Sequence, residues 1–346
     1  MGLVRLLASG GTGSRFSSWI GRGCCLVVAA LPALVSAEPL TGRIKVDGSS
    51  TVAPIMIAAA ELFQEANPGV QVPVGISGTG GGFKKFLDAK PELRTEISNA
   101  SRPISQSEQA KAAELGIEYI EIPVAIDGIA IVVHPSNAFC NDLTTAELKK
   151  IWEPGSSISN WKDVRAGFPD LPLKLYGPGT DSGTFDYFTE AIVGKEKASR
   201  SDYTASESDN ALVQGVAGDK GSLGYFGFSY YEANTGKLKL LAVAHGESKA
   251  IKPDANVIRS GAYKPLARPL FVYVNRDAYK KPEVRAFLGF LLSNSKKIVE
   301  HPKVQYVAFS PEVYKLGEAR LAQGKTGSAM AKAAGEHDIL EIFKKN

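Results

Sequence analysis

The sequence predicts an α/β protein of two lobes, built from two mixed sheets flanked by helices and joined by two crossing strands around a cleft. Three observations carry this. Short apolar runs alternate with helical patterns through most of the chain, as layered α/β proteins require. Two long β-branched runs, Ile126 to Val133 and Pro269 to Asn275, lie far apart in sequence and suit strands that pass between lobes. The length of 346 residues exceeds that of a usual single domain. Composition agrees: 44% hydrophobic and 22% charged residues exclude a disordered, collagenous or coiled-coil chain. A formal charge of +4, evenly spread, leaves no footprint for nucleic acid.

Taken in order, residues 1 to 37 hold three arginines and no acid, then the apolar run Cys24 to Val35 and the small-x-small end Val35-Ser36-Ala37. These are the marks of a secretory signal cleaved after Ala37, with a mitochondrial transit peptide ranked second. Removing its three arginines from +4 leaves about +1, and only Cys140 remains of the three cysteines, so no internal disulfide can form. Ile44-Lys45-Val46 reads as a strand before a helix from Pro54 to Ala66, and Val70 to Ile76 as a strand before a helix from Gly81 to Leu87. Tyr119 to Ile122 is another strand. Leu143 to Trp152 reads as a helix opened by Thr144 or Thr145 with Glu147 in its first turn. Leu173 to Tyr176 (strand), Phe185 to Val193 and Asn210 to Ala217 (helices) follow. Pro282 to Ser293 is an amphipathic helix with Val284, Phe287, Leu288 and Leu291 on one face. The expected division is residues 38–127 plus 268–346 in lobe I and 128–267 in lobe II.

One pattern recurs. Gly48-Ser49-Ser50-Thr51-Val52-Ala53-Pro54, Ser77-Gly78-Thr79-Gly80-Gly81-Gly82-Phe83 and Gly179-Thr180-Asp181-Ser182-Gly183-Thr184-Phe185 each stand between a strand and a helix. The free amides and the dipole of a first helical turn favour an anion, glycine admits it close to the backbone, and Ser and Thr add uncharged donors. Each donor contributes about 1.5 to 3 kcal/mol when its acceptor is charged. One such loop alone is an ordinary helix cap; three together predict a cleft that holds a small tetrahedral oxyanion. The hydroxyls and bare backbone amides of these loops, Ser50 among them, are the candidate contacts. Ser98-Asn99-Ala100-Ser101-Arg102-Pro103-Ile104 follows another strand, and Arg102 is expected to fork onto two oxygens of the anion beside Ser101.

These blocks, together with Ala125 to Val133, Gly221 to Phe226 and Leu266 to Val274, resemble the conserved blocks of the periplasmic phosphate-binding proteins of ABC importers across residues 42 to 316. The resemblance implies a type II periplasmic-binding-protein fold, capture of inorganic phosphate and its delivery to a membrane permease by a monomer, without cofactor or metal. It carries Thr51, the backbone of Val52, Thr79, Ser101, Ser182, Gly183 and Thr184 over as ligands. The best-known branch has an Asp after the Ser of the fourth block, accepting the phosphate proton, where this chain has Arg102. That branch also has an Arg four residues before the Ser of the third loop, where this chain has Pro178. A proton acceptor is still needed to reject sulfate, which has no proton to donate at neutral pH. Asp181 and Asp127 are its candidates, and Asn210 is a further residue that faces the cleft if its helix opens there.

The rival readings are a secreted phosphatase-like enzyme and a binder of sulfate, molybdate or arsenate. The sequence holds no G-x-S-x-G and no H-E-x-x-H, only Cys140 remains beyond residue 37, and its four histidines lack ligand spacing.

Overall fold

The computed structural model describes residues 39–180, 182–333 and 338–346. The expected signal segment, residues 1–37, and Asp181 lie outside the described residues. From Pro39 onward the chain is one compact unit. It opens with β1 (Gly42–Arg43), β2 (Val46–Gly48), α1 (Ala53–Ala66), β3 (Val70–Gln71), β4 (Val74–Ile76), α2 (Gly78–Phe86), β5 (Ile97–Ala100), α3 (Gln106–Glu114) and β6 (Tyr119–Val133). Beyond β6 come β7 (Asp142–Thr144), α4 (Thr145–Trp152), β8 (Lys174–Gly177), α5 (Gly183–Phe188), β9 (Thr204–Ala205), α6 (Asp209–Gly218), β10 (Ser222–Gly227), α7 (Phe228–Glu232), β11 (Lys239–Leu240) and β12 (Ala242–Ala244). The chain ends with α8 (Ala255–Arg259), β13 (Ala267–Asn275), α9 (Pro282–Ser293), α10 (Ser295–Val299), α11 (Pro311–Gln323) and α12 (Ile339–Lys345).

The two expected sheets share β6. Its first part, Tyr119 to Gly128, pairs antiparallel with β13, and its last part, Ile129 to Val133, with β10. On the β13 side the order continues to β5, β2 and β4, the last three mutually parallel; on the β10 side β8 and β9 run parallel to β10. The register decides where these strands point. β5 advances from Ile97 opposite Val274 to Ala100 opposite Phe271, which itself faces Pro123, so β5 and its parallel neighbours run toward the middle of β6. β10 advances from Leu223 opposite Val133 to Gly227 opposite Ile129, so it and β8 run toward the same middle from the other end. The carboxyl ends of both parallel groups therefore converge near Asp127 and Gly128, and such ends are where α/β folds place ligands.

Several boundaries differ from the sequence reading, each for a physical reason. The two apolar runs around Pro123 are a single strand, because a register shift between Leu270 and Phe271 leaves Val124 with no residue opposite it on β13 and makes the bulge that a proline in a strand needs. Val70 to Ile76 is two strands, with Val72 and Pro73 between them. Leu143 belongs to a strand; the α4 cap is Thr144, whose hydroxyl accepts from the Glu147 amide while Glu147 accepts from the Thr144 amide. α2 begins at Gly78 rather than Gly81. Its glycines read as a loop, yet they belong to a helix packed directly on β2: a Cβ on Gly82 would lie 2.5 Å from the Gly48 Cα.

Two aromatic clusters fix the helices that carry the loops. Phe188 of α5 stacks on Tyr225 of β10 at 3.7 Å, with Trp152 edge-on to Tyr225 at 4.8 Å. Phe83 of α2 meets Tyr273 of β13 at 4.9 Å, and Tyr119 meets the same ring at 5.8 Å. Ring pairs in these geometries add about 0.5 to 1.5 kcal/mol beyond their buried area, so both helix starts stand on rigid supports.

Candidate functional site

The strand ends enclose a cavity of about 350 Å³. Ser50 and Thr51 line it from the first loop, Thr79 from the first turn of α2, and Ser101 and Arg102 from the end of β5. The Thr79 and Ser101 hydroxyls lie 3.0 Å apart, and the Ser101 amide donates to Thr79 Oγ1 at 3.2 Å. Parallel strand order dictates this meeting, since β4, β2 and β5 are neighbours and their loops emerge side by side. Asp47 stiffens the arrangement from below: it accepts from the Ser77 hydroxyl and from Lys85 Nζ at 2.5 Å, tying the start of α2 to β2.

The third loop reaches the first. A Cβ added to Gly183 would lie 2.7 Å from Thr51 Oγ1, 2.9 Å from its Cα and 3.1 Å from its amide nitrogen, so the start of α5 rests against the start of α1. Ser182 caps α5, its Oγ accepting from the Thr184 amide at 3.2 Å, and Thr184 is buried. Val52, fully buried, is the residue before the first turn of α1. Thr51, Thr79, Ser101, Gly183 and their flanking residues are thus gathered at one place. Asn210 is exposed in the first turn of α6 and does not line the cavity. Its neighbour Asp209 is the more perturbed group: burial and the charges of Glu207 and Asp127 push its carboxyl up to about 7.

Arg102 lines the cavity, but its guanidinium is already engaged. Nη1 and Nη2 donate to the two oxygens of Glu108 at 2.8 and 2.9 Å, and the same carboxylate closes the capping box of α3 by accepting from the Ser105 amide at 2.8 Å. This two-pronged pair holds the Arg102 pKa above its ordinary value.

Sequence reasoning missed a second arginine. Arg268 opens β13, lines the cavity and donates from Nη2 to Thr51 Oγ1 at 3.1 Å. Its guanidinium lies 3.8 Å from the centre of the Tyr187 ring, and Tyr187 is held by donation to the Pro265 carbonyl at 2.6 Å. Asp127, with no exposed surface, stands behind it with an oxygen 3.5 Å from Nε. Burial pushes the Asp127 carboxyl up to about 6, against the opposing pull of Arg268. The available signal was a lone basic residue at the head of an otherwise apolar strand.

Acidic side chains also line the cavity: Asp186, Glu190 and Glu196. The Ser50 hydroxyl donates to Asp186 Oδ2 at 3.4 Å, and burial raises the Asp186 pKa. A wall that combines hydroxyl donors, an arginine and the Asp186 carboxyl, its pKa raised by burial, suits an oxyanion that itself carries a proton. Cys140 takes no part, since it is fully buried and burial pushes its thiol up to about 12.

A family model described as a PBP superfamily domain matches residues 35–295. Protein SphX of Synechococcus elongatus is 47% identical over 88% of this chain and 89% of its own length. The Phosphate-binding protein PstS of Staphylococcus haemolyticus is 37% identical over 80% of this chain and 84% of its own. Among solved structures, that of a possible phosphate binding protein from Planctomyces limnophilus is 46% identical, covers 83% of this chain and 99% of its own, and superposes with a TM-score of 0.77.

Proposed function

This chain belongs to the PBP superfamily, and on that premise we propose that it captures inorganic phosphate and delivers it to the permease of an ABC phosphate importer. The observation that carries the reading is the close approach of Gly183 to Thr51, which lines one cavity together with Thr79 and Ser101. It sets the starts of α1, α2 and α5 around one polar cavity, which Ser50, Thr79 and Asp186 line. Amides and hydroxyls of Ser50, Thr51, Val52, Thr79, Ser101, Ser182, Gly183 and Thr184 replace the water around that ion. Residues 38–127 plus 268–346 act as one lobe and 128–267 as the other, hinged at Asp127 to Ile129 and Leu266 to Pro269, so that closure presents a distinct form to the permease. Residues 1–37 serve as the export signal, and the protein works as a monomer in the periplasm.

Selection against sulfate falls to Asp186. Its carboxylate accepts the proton that hydrogen phosphate donates; sulfate offers none and faces the carboxylate with a lone pair. Calorimetry on the purified protein at pH 7 tests both statements. The expected result is phosphate binding at least about 100-fold tighter than sulfate, the scale of discrimination that sites built on a hydrogen bond reach or exceed. Equal affinities would remove the proton-acceptor argument, and no heat with phosphate would remove the reading itself.

A further inference from the structure

Building on the phosphate reading, we propose that Arg268, and not Arg102, is the cation that receives the anion, and that Glu190 competes with the anion for it. The two arginines line the same cavity and differ in what already holds them. Arg102 has both terminal nitrogens on Glu108, and a third contact to the Pro103 carbonyl at 3.1 Å. Turning it toward a ligand would strip Glu108 of its partner while Glu108 still caps α3.

Arg268 is arranged differently. Its plane is fixed by the Tyr187 ring, its Nε side faces the buried carboxylate of Asp127, and Nη2 reaches Thr51 Oγ1, the hydroxyl at the start of α1 that Gly183 also touches. Nη1 faces Glu190, 3.6 Å away and 59% exposed. At that distance and exposure the pair is weak and easily exchanged. A planar fork held on its inner side, with an outer edge on the cavity, is the form in which arginine grips two oxygens of one oxyanion. Glu190 then stands where a ligand oxygen has to come, so every binding event separates it from Nη1.

The test is calorimetry with inorganic phosphate at fixed pH and ionic strength on wild type, Arg268→Ala, Arg268→Lys, Arg102→Ala and Glu190→Gln. The account expects about a 10- to 100-fold loss for Arg268→Ala, the scale of one charge-assisted contact. Arg268→Lys keeps the charge without the fork and should remain several-fold weaker than wild type. Arg102→Ala should change affinity by less than about three-fold, and Glu190→Gln should tighten binding by about two- to five-fold, the scale of an exposed ion pair. Circular dichroism checks that each variant is folded. Should Arg268→Ala fail to fold, the lysine and Glu190→Gln variants decide the matter, since Glu190 is exposed. A larger loss for Arg102→Ala than for either Arg268 variant, or weaker binding by Glu190→Gln, would overturn the assignment. Wild type that binds no phosphate would overturn instead the functional reading on which it rests.

Discussion

Valine in place of Gly183 is expected to weaken phosphate binding by roughly 10²- to 10⁴-fold while leaving the protein folded, the effect of losing two or more charge-assisted contacts of about 1.5 to 3 kcal/mol each. The added Cβ would lie 2.9 Å from the Cα and 3.1 Å from the nitrogen of Thr51, and backbone atoms cannot rotate out of the way as a side-chain tip can. The starts of α1 and α5 have to separate, and donors from the two can no longer reach one small ion together. Stability should change little, because Gly183 is only half-buried and stands at a helix start whose aromatic support, Phe188 on Tyr225, is elsewhere. Calorimetry with a parallel thermal melt measures both quantities. Affinity within ten-fold of wild type would mean that the two helix starts do not share the ligand.

Substitution of Glu121 by alanine should cost about 3 to 5 kcal/mol of stability, as expected when a buried acceptor is removed from several donors. Glu121 is fully buried on β6. Oε2 accepts from the Tyr273 hydroxyl at 2.7 Å and from Ser328 Oγ at 2.6 Å, and Oε1 from the Met330 amide at 3.0 Å. Burial raises its pKa, with these three donors and the Arg320 charge pulling the other way. Tyr273 in turn accepts from the Ile104 amide at 2.9 Å, so one carboxyl ties β6, β13, the loop after β5 and the segment beyond α11. The alanine variant orphans three donors and opens a cavity. Urea unfolding followed by fluorescence reads the effect as a lowered midpoint at unchanged slope. A loss below about 1 kcal/mol would show that water replaces the carboxyl at no cost.

The contrast between these residues explains what the sequence disclosed. Helix starts rich in Gly, Ser and Thr have a local signature, because capping and close backbone approach are decided within a few residues; the loops that hold Ser50, Thr51, Thr79, Ser182 and Gly183 were legible as helix starts for that reason. The meeting of those starts was not, since it follows from the register of β6 against β13 and β10, which no short window contains. Arg268 and Asp127 are set opposite each other by that same pairing, Arg268 being the β13 partner of Asp127. Arg102 reads as a ligand because its flanks look like a loop poised for one. The partner it has in the structure was written six residues on, in Ser105-Gln106-Ser107-Glu108, whose capping-box carboxylate also reaches back to the guanidinium. Glu121, which anchors the segment beyond α11, reads in sequence only as one acid in an apolar strand, with nothing to show that it is buried.

The most direct measurement is a crystal structure of the protein with inorganic phosphate. The account predicts one tetrahedral ion in the cavity beside Thr51, Thr79 and Ser101, with amide or hydroxyl donors from the start of α5 and the Arg268 fork within about 3 Å of its oxygens. An ion bound by one loop alone, or seated elsewhere with those helix starts turned away from it, would contradict it.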